Sequence, residues 1–341
     1  MKKRLALLLA AVVAVGTLAT ACGGNQGNAS AKVKVGLGAH VQMDYSTKDA
    51  TAEKDGTAQA DLHVAAVTID ADGKIVAVEV DSIQMKATFD ATGAVKLGTE
   101  QTFKTKKELG FDYNMKAYGP EGAIGKEWFE QAAAFEQFIV GKTAKEVEAL
   151  LGADGYPTDD TLKTGCTIKV NGLVAAVVRA CEDAAANNVE VASTDKLALG
   201  LVGSTSKAAF DAEKAAGSSQ AYANFVAVTS ADGKITACVL DSVQANFAWD
   251  ATGKITSDLT KEPTTKHDLK EGYNMKGASA IGKEWYEQAD AFMQFVNGKT
   301  ADEVNAISTD EKGYVTDETL KSGCTMKIND YKAAVTKALA K

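Results

Sequence analysis

Residues 123–147 read AIGKEWFEQAAAFEQFIVGKTAKEV, and residues 280–304 read AIGKEWYEQADAFMQFVNGKTADEV. Trp128 in the first aligns with Trp285 in the second, an offset of 157. Three further matches hold the alignment. YNMK at 113–116 returns at 273–276, FDATG at 89–93 returns as WDATG at 249–253, and TLKTGCTIKVNG at 161–172 returns as TLKSGCTMKIND at 319–330. The offsets stay between 157 and 160, so the second half copies the first with small insertions. A period this long points to a duplicated domain rather than a solenoid, because each unit is large enough for its own core. The expected bounds are 33–186 for the first repeat domain and 194–341 for the second, with a short, partly polar joint around 184–193.

Within each copy the hydrophobic pattern changes period. Leu62, Val64, Ala66 and Thr68 alternate, Ala71-Asp72-Gly73-Lys74 breaks the run, and Ile75 to Val80 alternates again. Asp-Gly between two alternating runs signals a hairpin. A further strand is expected from Ile83 to Phe89, closed by Asp90-Ala91-Thr92-Gly93. The second half repeats both turns at 231–234 and 250–253. The middle of the copy is helical: Trp128, Ala132, Phe135, Phe138 and Ile139 recur at helical spacing up to Gly141. Thr143 then reads as an N-cap with Glu146 completing a capping box. A last helix is expected from about Asn171 to Cys181. The fold class is α+β: two tandem copies of a domain with an antiparallel sheet and helices packed on one side.

The N-terminus carries a different signal. Lys2-Lys3-Arg4 precedes an apolar run from Leu5 to Leu18, then Ala19-Thr20-Ala21-Cys22. A charged start, a short apolar middle and small residues before a cut make residues 1–21 a signal peptide. The run is shorter than the roughly 20 residues a membrane span needs. The cysteine after the small residues resembles the lipobox of bacterial lipoproteins, with Ala19 where leucine is usual and Leu18 one place earlier. The resemblance implies lipidation of Cys22, the long acyl chains serving as the membrane anchor. Residues 22–32 then form a flexible, polar tether at the extracytoplasmic face of the cell membrane. Removing residues 1–21 leaves 34 Lys and Arg against 45 Asp and Glu, a formal charge of −11. That acidic balance argues against nucleic acid as a partner. His40, His63 and His267 are too few and too scattered for a Ser-His-Asp centre or a metal site. Cys166 and Cys324 occupy matching places, Cys181 and Cys238 do not, and no disulfide framework emerges. Free, mostly buried thiols are expected.

The motif with chemical content is Thr164-Gly165-Cys166-Thr167, repeated as Ser322-Gly323-Cys324-Thr325. Glycine lets a bulky partner approach the backbone, and N–H groups near a helix start favour an anion such as phosphate. A plain turn, with Thr167 and Thr325 bonded locally, accounts for the same residues. The tetrapeptide resembles the Ser/Thr-Gly-Ala-Ser/Thr core of the FMN-binding domain of membrane-linked electron-transfer proteins and Gram-positive surface flavin lipoproteins. The resemblance implies one FMN per repeat, joined by a phosphoester to Thr167 and Thr325 by a flavin transferase outside the membrane. Thr164 and Ser322 would be the family's preceding hydroxyls, and Gly165 and Gly323 its glycine. Cys166 and Cys324 stand where the family has alanine. The family's aspartate falls at Thr161 and Thr319, with Asp160 and Glu318 one step earlier.

In such a site Trp128, Trp285, Tyr113 or Tyr273 could stack on a ring, or serve as core aromatics. Lys163 and Lys321 could neutralise phosphate or stay solvated, and Asn114 and Asn274 could bond the ring edge or shape turns. The expected function is a flavin carrier with redox partners. The alternative is a cofactor-free surface lipoprotein that binds a solute or partner between helix and sheet. Either is a carrier or binding protein more readily than a stand-alone enzyme, because a cofactor brings its own chemistry and no nucleophile–base pair is visible.

Overall fold

Alternating strands joined by tight turns build the sheets of both halves. The computed structural model describes residues 31–98, 101–117 and 124–341. The signal peptide, Cys22 and the tether up to Ser30 lie outside the described residues. The strands of the first half are β1 (Lys32–Gln42), β2 (Gly56–Ile69), β3 (Ile75–Phe89), β4 (Val95–Leu97) and β5 (Gln101–Phe103). Its helices are α1 (Lys106–Leu109), α2 (Trp128–Ile139), α3 (Ala144–Glu148), α4 (Asp160–Lys163) and α5 (Asn171–Ala186). After β6 (Glu190–Ala192) the second half runs β7 (Lys196–Asp211), β8 (Ala216–Ala231), β9 (Lys234–Asp250), α6 (Lys266–Leu269), α7 (Trp285–Val296), α8 (Ala301–Asn305), α9 (Glu318–Lys321) and α10 (Asn329–Leu339).

The turns form where Asp and Gly stand. Asp232 and Gly233 take φ of 51° and 75°, the paired left-handed conformation of a tight hairpin. In the DATG turns the Oδ1 of Asp90 accepts the backbone N–H of Thr92 and Ala94, and Asp250 does the same for Thr252 and Lys254. The capping box of Thr143 and Glu146 is present. Two boundaries differ from the periodicity. The segments at 75–80 and 83–89 form one strand, β3, in which the buried carboxylate of Asp81 is satisfied by the N–H of Ser82 and by that of Lys107 at the start of α1. The last helix, α5, continues past Cys181 to Ala186, since Ala184 still packs in the core.

All pairings are antiparallel, in the orders β4-β3-β2-β1-β6 and β5-β7-β8-β9. The halves exchange edges. β5, from the first repeat, pairs with β7, placing Thr102 opposite Ser204. β6, from the joint, pairs with β1, placing Val33 opposite Val191. Residues 31–341 accordingly form one compact unit.

Successive side chains of a strand face opposite sides, and each sheet uses both. From β2, Ala58, Ala60, Leu62, Val64 and Ala66 join β3 residues Ile83, Met85 and Phe89 in a core shared with Leu199, Phe225, Val243, Phe247 and Trp249 of the other sheet. The opposite row, Ala65, Val67 and Ile69, packs under Trp128, Phe135 and Ile139 of α2 and Val174 and Val177 of α5. The second half repeats this with Val226 and Val228 under Trp285 and Phe292. The order of layers is helices, sheet, sheet, helices.

Phe89 and Trp249, the equivalent aromatics of FDATG and WDATG, stack across the sheet interface with centroids 4.1 Å apart and planes at 7°. Trp249 also donates its Nε1–H to the carbonyl of Gly93 at 2.8 Å. Ion pairs close the rim: Arg179 grips Glu262 at 2.6 and 2.8 Å, and the equivalent Lys337 reaches Glu108 at 2.7 Å. Because the stack belongs to both halves, Trp249→Ala is expected to cost about 3–5 kcal/mol. Chemical denaturation should show one transition, shifted as a whole. A second transition at the original midpoint would show that the halves unfold separately.

Candidate functional site

On the helix-facing side of β2 the apolar row Ile69, Val67, Ala65 gives way to His63, Asp61 and Gln59. On β8, Val228 and Val226 give way to Asn224, Tyr222 and Gln220. Helices cannot close an apolar seam over such a row, and a cavity opens at that end of each half. The first holds about 460 Å³ and includes Asp61, His63, Lys106, Tyr113, Trp128 and Thr167 in its wall. The second holds about 780 Å³, with Tyr222, Asn224, Lys266, Tyr273, Trp285 and Thr325 at the corresponding places. Both volumes suit a small-molecule site. The shared sheet–sheet core lies between the two.

The tetrapeptides stand beside these cavities, with their side chains in different directions. Thr167 and Thr325 are half-buried in the walls. The N–H of Thr167 donates to Oε1 of Gln131 at 2.8 Å and its hydroxyl to the same oxygen at 3.3 Å. Thr325 makes the same pair of bonds to Gln288 at 2.9 and 3.2 Å. Each glutamine is buried and is fixed by donating to the carbonyl of Lys126 or Lys283. Thr164 and Ser322 are exposed and donate back to the carbonyls of Thr161 and Thr319, closing the short helices α4 and α9. Gly165 and Gly323 face helices α2 and α7, where a Cβ would come within 2.8 Å of Ala134 and 2.7 Å of Ala291. Cys166 and Cys324 are sealed in the helix–sheet cores, and burial pushes both thiols up to about 11, which leaves them unreactive. Of the eight residues, only the two threonines contribute to the cavity walls.

Asn171, Asn329 and Asp330, in the first turns of α5 and α10, also line the cavities. Neither helix has a side-chain cap, since Val170 and Ile328 occupy the N-cap positions. Backbone N–H groups at such a helix start favour negative charge. Lys169 and Lys327 stand on the walls over Tyr156 and Tyr314, at 5.7 and 5.2 Å from the ring centroids. Lys106 lies over Tyr113 and Trp128 at 4.9 and 5.3 Å. Lys266 lies over Tyr222, Tyr273 and Trp285 at 4.6, 4.6 and 5.6 Å. Only 6 % exposed, Lys266 is pulled down to about 8 by burial. Trp128 and Trp285 thus serve both as core and as wall.

The other candidates part company. Lys321 lines the second cavity, whereas Lys163 pairs with Asp160 at 3.0 Å on the exposed surface. Asn114 and Asn274 take left-handed φ of 56° and 58° and close short 3-10 turns. The sequence reading missed Gln131, Gln288, Lys106, Lys266, Tyr156, Tyr314 and Asp61. For Asp61 the signal was the polar row at 59, 61 and 63, on the opposite face of the strand from Leu62, Val64 and Ala66; for the others it was the return of each at a matching place in the second half.

The walls differ where the copies have diverged. His63 packs against Gly172, where a Cβ would lie 2.3 Å from the ring; the second copy has the smaller Asn224 facing Asp330. Asp61 corresponds to Tyr222. Its Oδ1 accepts the amides of Gln59 at 3.0 Å and Gln84 at 2.7 Å, while its buried Oδ2 has no partner. An unmet buried acceptor costs about 1–3 kcal/mol. A separate cleft of about 770 Å³ lies between α5 and the loop leading into α6, with Asp183, Asp241, His267 and Asp290 in its wall. Among the described residues no cluster suits a metal ion, and no helix is long and apolar enough to cross a membrane.

The architecture is thus a duplicated α+β unit with matched cavities, each bearing a threonine, aromatic rings and lysines. No protein-family model, curated protein or solved structure matches the chain.

His63, in the wall of the first cavity, gives the fold a pH-dependent stability. Burial, with Lys106 and His40 adding to it, pushes its imidazole from 6.5 down to about 3. The folded form keeps it neutral while the unfolded chain takes up a proton, so this group withdraws stability as pH falls from 6.5 towards 3, by at most about 1.4 kcal/mol per pH unit. Urea midpoints of His63→Asn should fall less steeply than the parent's between pH 6.5 and 4. Parallel profiles would refute the assignment.

Proposed function

We propose that each half holds one FMN, esterified to Thr167 in the first cavity and Thr325 in the second, and that the chain is a lipid-anchored carrier of electrons outside the cell. The observation that carries this reading is the position of the two motif threonines. Each lies in the wall of a cavity in which the same lysine, tyrosine and tryptophan positions recur between the halves. The chemistry of the walls fits a flavin nucleotide. The uncapped start of α5, with Lys169 nearby, suits a phosphate next to Thr167, whereas at the start of α10 Lys327 stands with Asp330 in the same wall. Tyr113 and, at the same place in the repeat, Tyr273 stand half-buried in the walls and offer ring surface to a flat occupant. Gln131 and Gln288 hold the threonine backbone at a fixed position in the wall by accepting its N–H.

When bound, a flavin supplies electron transfer, which side chains alone do not provide. The protein's part is to exclude water, hold the phosphate, and set the charge around the ring. Lys106 and Lys266 do the last of these, since a cation beside a ring favours added electron density. Lipidation of Cys22 and the tether would keep both cavities near the membrane surface while leaving them free to meet partners.

The second reading is capture of a solute in the same cavities without a cofactor. It is favoured by the threonine hydroxyls, which already have a hydrogen-bond partner in Gln131 and Gln288. Co-expression with a flavin transferase separates the two. The flavin reading expects yellow protein with the mass of two added FMN. Thr167→Ala and Thr325→Ala should each remove one FMN and leave the other, because the cavities are built from different halves. Colourless protein of unmodified mass would leave solute capture as the function.

A further inference from the structure

We infer that Lys266 is a nucleophilic amine in the wall of the second cavity, and that this cavity captures a flat, anionic aldehyde as an imine on its Nζ. The inference rests on the second reading, solute capture, and names its class of solute; it needs no flavin at Thr325. Lys266 is 6 % exposed and lines the cavity of about 780 Å³. Three rings of the same wall stand around its Nζ, with the centroids of Tyr222 and Tyr273 at 4.6 Å and that of Trp285 at 5.6 Å. Its polar neighbour is the Tyr222 hydroxyl, 3.5 Å away in a part-buried contact. Among the described residues no carboxylate pairs with it. Buried lysines are rare unless paired. One held among rings at a cavity, without a paired carboxylate, favours the neutral amine, which is the form that attacks a carbonyl carbon.

The surroundings fix this arrangement. Trp285 donates its Nε1–H to the Tyr331 hydroxyl at 3.0 Å, and Tyr331 and Ser242 in turn hydrogen-bond to the Tyr222 hydroxyl. Burial pushes Tyr222 up to about 12, so it stays a neutral neighbour. Asp241 favours the charged form of Lys266 and Lys207 opposes it, but burial is the larger effect and pulls the amine down to about 8. About half of such a group is free amine at pH 8, against under about 1 % for an ordinary lysine.

The rest of the wall selects the carbonyl compound. The tyrosine and tryptophan rings suit a flat partner. Lys312, Lys321 and Lys327 stand in the same wall with the carboxylate of Asp330, a balance that favours an anionic group. In the reaction the Nζ lone pair forms the N–C bond while the carbonyl π pair moves to oxygen. A proton passes from Nζ to that oxygen and gives a carbinolamine. The hydroxyl then leaves with a second proton from nitrogen as water, and a C=N bond remains. Amine and aldehyde thus give imine and water, and no oxidant or reductant is consumed.

The test uses the full chain made without a flavin transferase. It is treated at about pH 8 with para-formylbenzoate or with neutral benzaldehyde. Cyanoborohydride in the mixture delivers hydride to the imine carbon and fixes the adduct as a secondary amine. Peptide mapping then gives the rate at each lysine. We expect Lys266 to be modified about tenfold faster than surface lysines, the larger amine fraction being partly offset because a less basic amine attacks more slowly. Para-formylbenzoate should outpace benzaldehyde there, and Lys266→Met should remove the fast adduct. The map of the parent chain stands by itself if that variant does not melt with its parent. Modification of Lys266 at or below the rate of surface lysines overturns the inference. Equal rates for the two aldehydes overturn its anionic part. Neither outcome touches the flavin reading, which the colour and mass of the co-expressed chain decide, and a colourless chain there leaves this inference standing.

Discussion

Each sheet has two apolar faces, and the helices of its own repeat can cover only one. This constraint governs the molecule. The inner faces, with Leu62, Met85 and Phe89 on one side and Phe225, Phe247 and Trp249 on the other, find their cover only in each other. Burial of apolar surface is the main favourable term in folding, so neither copy is complete alone. The stack of Phe89 on Trp249 places the same position of both repeats at one point of the interface. β5 from the first repeat and β6 from the joint each cover one edge of a sheet, β7 and β1, next to that core.

With the inner faces fixed, the outer faces are free to specialise. Along β2 and β8 the inner row stays apolar almost throughout, while the outer row changes from apolar to polar towards the start of the strand. The helices α2 and α7 then cover only part of each sheet. The cavities are the uncovered remainder, bounded by the turn ahead of α5 or α10 and by the lysine at the start of α1 or α6. The same helix brings Trp and Gln three residues apart, one facing the core and the cavity, the other reaching the motif threonine. Rigid elements on three sides give the threonines a fixed place in the wall.

Duplication has preserved the frame and varied the polar details. Lysine, tyrosine, tryptophan, glutamine and threonine return in both cavities. Changes come in compensating sets. The bulk of His63 is accepted by Gly172, whereas Asn224 leaves room for Asp330. Tyr222 meets Tyr331 and Lys266, whereas Asp61 meets two glutamine amides. Substitutions of this kind keep the volume and hydrogen bonding of a wall workable while changing its charge. That is how two copies of one fold come to offer different surroundings to the same kind of occupant.

The duplication, the hairpin turns, the capping box at Thr143 and the course of the main helix were all legible in the chain, because each depends on neighbours a few residues apart. The α+β class followed from them. The motif threonines could be singled out, yet not distinguished in direction from Thr164, Ser322 or the two cysteines. Side-chain direction in an irregular turn is set by what packs against it, here Ala134 and Ala291 against the glycines and Gln131 and Gln288 against the threonines. Tertiary structure alone decided that the sheets share a core, that β5 and β6 change partners, and that Asp61 stands in the wall beside Thr167. Those facts depend on contacts between residues about a hundred or more positions apart, and local periodicity carries no record of which distant surface will cover an exposed one.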